Sequence, residues 1–264
     1  MSITLNNVSY RYKKNISDTI KDISFNVENG EILTILGPNG SGKSTTIKCI
    51  IGALKYSGNI FINVENIDKL SRKERSKRIC YLPQDTKELC DLSVFDVVLM
   101  GKLDSFRIAP SQEIINDVER IINEFHLSKL VNKKYSELSG GERRIVDIAQ
   151  VLARGGDVLI LDEPTANLDI ANELEVLELI YSYTKKKKIA TIMVLHAINM
   201  ASRFSDSIVV IKDSKVLKYG TPDSVIGKQT ILEAYDVVAD EYISSDGVKN
   251  IHLIESKKKK KYDF

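Results

Sequence analysis

The chain has 264 residues, of which 43% are apolar and 28% charged, with 38 basic and 36 acidic side chains and a formal charge of +2. That composition excludes a disordered or fibrous chain and allows a large buried core. The near balance of charge gives no basic face for a duplex, so no nucleic acid is expected as a partner.

No apolar run approaches the roughly 18 residues that span a bilayer, and Met1–Ser9 lacks a basic-then-apolar signal pattern. The chain is therefore expected in the cytoplasm. Cys49, Cys80 and Cys90 are odd in number and have no CxxC spacing, which points to small apolar residues rather than disulfides or a zinc site.

In chain order, Ile3–Val8 and Ile20–Val27 have strand composition and are separated by the polar stretch Lys13–Asp18. Glu31–Leu36 is a β-branched run that ends in a glycine-rich turn, and Lys43–Ile51 continues with helical composition. Strand signals return at Asn59–Val64 and Ile79–Leu82. From Val94 to Arg154 apolar residues recur at helical spacing, in Phe95, Val98 and Leu99 and again in Ile114, Val118, Ile121 and Phe125. Strand and helix then alternate: Val158–Leu161, Ala171–Thr184, Ile189–Leu195, Asn199–Phe204 and Ser207–Ile211. Alternation of this kind predicts an α/β fold with a largely parallel sheet covered by helices. The lysine run Lys185–Lys188 is expected in the loop after a helix, and Lys257–Lys261 in a solvated tail.

Gly37-Pro38-Asn39-Gly40-Ser41-Gly42-Lys43-Ser44 fits G-x-x-x-x-G-K-[ST] between a predicted strand and a predicted helix. Its glycines let backbone amides face a phosphate, Lys43 can extend to the β- and γ-phosphates, and the Ser44 hydroxyl can ligate Mg²⁺. Val158–Leu161 is an apolar strand that ends in Asp162 and Glu163. In a parallel sheet, ligands sit at the carboxyl ends of strands. Asp162 is thus placed to hold Mg²⁺, and Glu163 to take a proton from an attacking water. Leu138-Ser139-Gly140-Gly141-Glu142 has the spacing of a helix capping box. Two glycines in a first helical turn are costly, which points to close approach of a second anion.

Together these motifs resemble the ATP-binding cassette ATPases, with matching order from about Ile3 to Gly220. The resemblance adds Gln84 after a strand, the stretch Ala166-Asn167-Leu168-Asp169, and His196 at the end of the Ile189–Leu195 strand. It implies a P-loop NTPase fold: a RecA-like core, an antiparallel β-subdomain and an inserted helical subdomain, about residues 85–155 of a 1–224 ATPase domain. Residues 225–264 form a small C-terminal extension. It also implies ATP and Mg²⁺ as cofactors and a head-to-tail homodimer in which one phosphate loop, Gly37–Thr45, and the partner's Ser139–Glu142 enclose each ATP.

Further roles come from the resemblance alone. Tyr12 resembles the aromatic that stacks on adenine, with core packing beside Tyr10 as the alternative. Gln84 links the Mg²⁺–water site to the helical subdomain, His196 is the switch histidine near the γ-phosphate, and Asp169 contacts the partner subunit. Gln150 and Ala197 stand where the family usually has arginine and aspartate. Ser93–Gly101 is similar to ATPases of metal-chelate importers for iron-siderophore, haem or cobalamin, and Thr221–Tyr235 is also similar to that group. The expected partners are a polytopic membrane permease, which holds the subunit at the inner face of the membrane, and indirectly a solute-binding protein. Val94, Val97 and Val98 are expected on or near one apolar stripe that forms part of a groove for a permease helix, with packing on their own subdomain as the alternative. A stand-alone ATPase of iron–sulfur assembly is the alternative. Lys43, Asp162, Glu163 and His196 argue against a regulator that binds ATP without hydrolysing it.

Overall fold

The computed structural model describes residues 2–13, 17–84, 90–102 and 110–257. The chain opens with β1 (Ile3–Tyr10), β2 (Ile20–Val27) and β3 (Ile32–Leu36), then helix α1 (Lys43–Ile50), strands β4 (Ser57–Ile62) and β5 (Glu65–Asn66), helix α2 (Arg72–Arg78) and strand β6 (Ile79–Leu82). Three helices follow: α3 (Val94–Lys102), α4 (Gln112–Glu124) and α5 (Gly140–Ala153). The alternating part is β7 (Val158–Asp162), α6 (Ile170–Lys187), β8 (Ala190–Val194), α7 (Ile198–Phe204) and β9 (Ser207–Lys212). The chain ends with β10 (Lys215–Gly220), α8 (Pro222–Val225), α9 (Lys228–Tyr235) and a hairpin of β11 (Val237–Ile243) and β12 (Lys249–Ser256).

A six-stranded sheet in the order β10-β9-β3-β8-β7-β6 forms the centre, parallel except for the β10–β9 edge. Strands β3, β7 and β8 are buried along their whole length, which is why they read as unbroken apolar runs. Alternate residues of β3 serve different cores. Leu33 and Ile35 join the apolar cluster beneath the antiparallel sheet β2-β1-β4-β5, whereas Ile32 and Leu36 join the one beneath α3–α5. The Tyr219 hydroxyl donates to the Asn26 carbonyl at 2.8 Å and ties the edge of one sheet to the other.

Three expectations need correction. Val94, Val97 and Val98 are not an available stripe, being 0%, 5% and 0% exposed in the core beneath α3–α5; the exposed apolar residue of α3 is Met100. The lysine run is not a loop: Lys185–Lys187 form the last turn of α6, where cations favour the helix dipole. There Lys185 pairs with Asp206 at 2.6 Å, and Lys186 and Lys187 both pair with Glu124. Val64 lies outside β4, 95% exposed beyond the left-handed turn at Asn63. The tail from Lys258 onward lies outside the described residues.

The C-terminal segment is fastened to the core. Ile231 and Ala234 of α9 join Ala239 and Ile251 of the hairpin in the main cluster. Asn199 of α7 exchanges two hydrogen bonds with the backbone of Ile251. Among the described residues, no helix is long and apolar enough to cross a membrane.

Candidate active site

The phosphate loop leaves the buried end of β3 between β8 and β9. Gly37 has φ 148° and sits so close to the next strand that a Cβ would come 2.1 Å from the Ile211 carbonyl oxygen, so no other residue fits. Pro38, Asn39 and Gly40 form the crest of the loop, with Asn39 and Gly40 exposed. Helix α1 then begins at Lys43 with no side-chain cap and no acidic residue in its first turn. Its first amides, those of Lys43, Ser44 and Thr45, are left for an anion. Ser41 Oγ is buried in the loop and has no hydrogen-bond partner among the described residues. The Lys43 ammonium folds back to donate to the carbonyls of Gly37 and Pro38 at 2.8 and 3.1 Å. Burial lowers its pKa, and the nearby Glu163 and Asp162 carboxylates oppose that shift.

Three neighbouring strands, β6, β7 and β8, bring their carboxyl ends together. Gln84 follows β6, Glu163 follows β7 and His196 follows β8. Gln84 Nε2 donates to Glu163 Oε2 at 2.9 Å, and His196 Nε2 lies 2.7 Å from Glu163 Oε1. Glu163 holds this position in the left-handed backbone region, at φ 51°. Asp162, the last residue of β7, is 5% exposed and its Oδ1 has no partner among the described residues. Burial raises its pKa, and the Glu163 charge adds to the shift.

A buried carboxylate oxygen without a partner among the described residues fits a cation ligand. Asp162, the Ser44 hydroxyl and the Gln84 amide oxygen are hard oxygen donors, the kind Mg²⁺ takes in ones and twos alongside phosphate oxygens. Among the described residues no group of three or more His, Cys, Asp and Glu is placed to hold a metal ion.

Ser139 caps α5 through the expected box: Glu142 N donates to Ser139 Oγ at 3.3 Å, and Ser139 N donates to Glu142 Oε2 at 2.7 Å. The two glycines have different reasons. A Cβ on Gly141 would come 2.4 Å from Asn172 Oδ1, so this glycine is needed to pack against α6; a Cβ on Gly140 would meet nothing within 4 Å. Asp169 caps α6 and receives both the backbone and side-chain N–H of Asn172, at 2.9 and 2.7 Å. Among the described residues no hydrogen bond joins Ser139–Glu142 or Asp169 to the phosphate loop of the same chain. Tyr12 lies just past β1, half-buried and edge-on to Tyr10 at 4.8 Å.

Sequence reasoning passed over Arg144 and Tyr235. Arg144 is 7% exposed on α5, and the available signal was a second arginine on a helix face that is otherwise apolar. Tyr235 ends α9 with the Gly37 amide beside its hydroxyl, and burial pushes that phenol up to about 12. Thr221–Tyr235 carries a resemblance in sequence but no motif that gives Tyr235 a role.

A family model described as ABC transporter matches residues 20–166. An uncharacterised ABC transporter ATP-binding protein of Methanocaldococcus jannaschii is 36% identical over 255 residues, covering 96% of this chain and 97% of that protein. The iron(3+)-hydroxamate import ATP-binding protein FhuC of Bacillus subtilis is 33% identical, covering 84% of this chain and 83% of its own length. A solved dimeric bacterial ABC transporter cassette superposes with a TM-score of 0.70 at 28% identity, covering 83% of this chain and 98% of that one. On these similarities the chain belongs to the ABC transporter ATP-binding family and is an ATPase subunit that drives transport.

Proposed function

We propose that this subunit powers import of an iron or other metal chelate or of cobalamin, and that Glu163 is its general base. The observation that carries the catalytic part is the corner where Gln84 and His196 both hydrogen-bond the Glu163 carboxylate. A base held on both oxygens is fixed in direction before the attacking water arrives. Lys43 binds the β- and γ-phosphates, the Gly37–Thr45 amides surround them, and Tyr12 stacks on adenine. Ser44 and Asp162, with Gln84 beside them, would hold Mg²⁺, which when bound neutralises phosphate charge.

The signature is read as serving a second copy. Gly140 faces open space, and Asp169 is followed by Ile170, an apolar residue 80% exposed. Both fit a head-to-tail homodimer in which Ser139–Glu142 of one chain covers the ATP of the other. The related cassette noted above is itself dimeric.

For the permease, the favoured contact is a cleft rather than the valine stripe. It has a volume of about 620 Å³ and is lined by Ile51, Tyr81, Arg72, Arg75 and Arg154. Tyr81 and Arg154 also line the adjoining hollow beneath Met100. Apolar anchors beside three arginines suit a short helix with an acidic residue. Docking there would hold the subunit at the inner face of the membrane, beneath a permease that a solute-binding protein supplies. The import direction and the chelate class rest on the resemblance of Ser93–Gly101 and on the hydroxamate relative. The test is reconstitution with the neighbouring permease in vesicles, with uptake of ferric hydroxamate, haem and cobalamin compared for wild type and Met100→Glu. The reading expects ATP-dependent uptake of one of these, lost in Met100→Glu while basal hydrolysis stays within about twofold. Absence of uptake for all three, or full uptake by Met100→Glu, overturns the corresponding part.

A further inference from the structure

Arg144 is a buried cation, 7% exposed. Its guanidinium grips main-chain carbonyls from two separate segments. Nε donates to the Pro164 carbonyl at 2.7 Å, and Nη2 to the carbonyls of Glu163 and Asp162 at 2.8 and 3.4 Å. Nη1 reaches the Pro83 carbonyl at 3.3 Å. One planar group therefore holds the whole Asp162–Pro164 turn and the residue just before Gln84.

Burying a guanidinium is costly unless its donors are satisfied. A planar fork with five N–H donors is the side chain able to satisfy several carbonyls on two segments together. Those carbonyls belong to residues that the site needs held still. Glu163 has φ 51°, a conformation that a residue with a Cβ keeps only when its surroundings impose it. Its carboxylate meets Gln84 at 2.9 Å, and both flanks of that contact, the Glu163 and Pro83 carbonyls, are on the same guanidinium. Arg144 itself cannot drift, because it sits within α5, whose first turn is locked by the Ser139–Glu142 capping box.

We propose that Arg144 is a positioning residue for hydrolysis: fixed on the signature helix, it holds the Asp162–Pro164 turn and so aims the Glu163 carboxylate at the Gln84–His196 corner. This rests on the reading of Glu163 as the base. The residue touches no reacting atom and acts through the backbone carbonyls it holds. It also gives the helix that carries the partner's phosphate contacts a rigid link to the base of its own site.

The test uses the full-length chain and compares ATP hydrolysis by wild type, Arg144→Gln, Arg144→Lys, Glu163→Gln and the double variant Arg144→Gln/Glu163→Gln. Misplacing a base by about 1 Å costs on the order of a hundredfold. The proposal expects Arg144→Gln to lower kcat about tenfold or more with KM for ATP within about threefold, and Arg144→Lys to fall between it and wild type. In single-turnover measurements the double variant should be no slower than Glu163→Gln, since a displaced base and an absent base are the same loss. Damage to the fold in general would instead multiply the two losses and raise KM. The proposal is overturned if Arg144→Gln keeps kcat within about twofold, if kcat and KM change together, or if the losses multiply. Should Arg144→Gln not fold, Arg144→Lys decides: wild-type kcat overturns the proposal, and a several-fold fall at constant KM supports it. Near-normal turnover in Glu163→Gln sinks the base assignment instead, whatever Arg144 does.

Discussion

His196 Nε2 lies 2.7 Å from Glu163 Oε1, across the carboxyl ends of two adjacent parallel strands. The imidazole holds one oxygen of the carboxylate and Gln84 holds the other. Replacing His196 with Ala frees one side of the base without touching the phosphate loop. Steady-state kinetics should show kcat falling about tenfold to a hundredfold, with KM for ATP changed by less than about threefold. A large rise in KM at constant kcat would instead make His196 a binding residue.

Asp162 is an aspartate whose burial raises its pKa, an effect strengthened by Glu163. With the folded value above the unfolded one, ionisation of this carboxyl opposes folding. Its stabilising contribution is therefore full below the unfolded value and lost as pH rises through the folded one. Asp162→Asn removes that opposition and should melt higher than wild type at pH 7 without nucleotide, by about 2–4 °C if the relief is about 1 kcal/mol. The gain should vanish near pH 3, and hydrolysis should be lost at every pH. Thermal melts at several pH values check this; an equal or lower melting point at pH 7 contradicts it.

The two signature glycines should separate in experiment. Gly140→Ala meets open space and gains helix propensity, so its melting temperature should not fall. It should still lose ATPase at least about tenfold, because in the proposed dimer the added methyl lies where a second chain's nucleotide approaches. Gly141→Ala collides with Asn172 and should lose about 1–3 kcal/mol of stability. Melting curves and turnover for the pair decide the matter, and a destabilised Gly140→Ala would place that surface inside the fold.

Much of the fold could be read directly because its chemistry is local. Strands β3, β7 and β8 are fully buried, so their sequences are plain apolar runs, and the phosphate loop follows the first of them. What was missed is held by other means. Helix α2 has no buried residue and opens on the Ser71–Glu74 capping box, a signal present in the sequence but overlooked. Strand β10 is an edge strand with two lysines and mostly exposed positions, so its alternation is faint. The lysines that end α6 look like a loop until Glu124, more than 60 residues away, supplies their partner.

In the site, local motifs announced Lys43, Asp162 and Ser139, but the meeting of Gln84, Glu163 and His196 depends on strand order. Adjacent places for β6, β7 and β8 cannot be derived from three separate segments, and the roles of Gln84 and His196 came from resemblance. Arg144 escaped because the contacts that tie it to the site are made to carbonyls, which leave no trace in side-chain sequence. The valines of α3 misled because that helix is apolar on most sides, so composition does not tell which face is covered.

The account centres on one chain's phosphate loop, with Glu163 as base, closing on the signature of a second copy around ATP. Glu163→Gln keeps the nucleotide contacts and removes the base, so ATP should persist at closed sites and hold two chains together. Light scattering on the eluting protein measures this directly at saturating Mg-ATP, with Mg-ADP as the control. The account predicts twice the mass of the chain with ATP and a single chain with ADP. A single chain in both would contradict it.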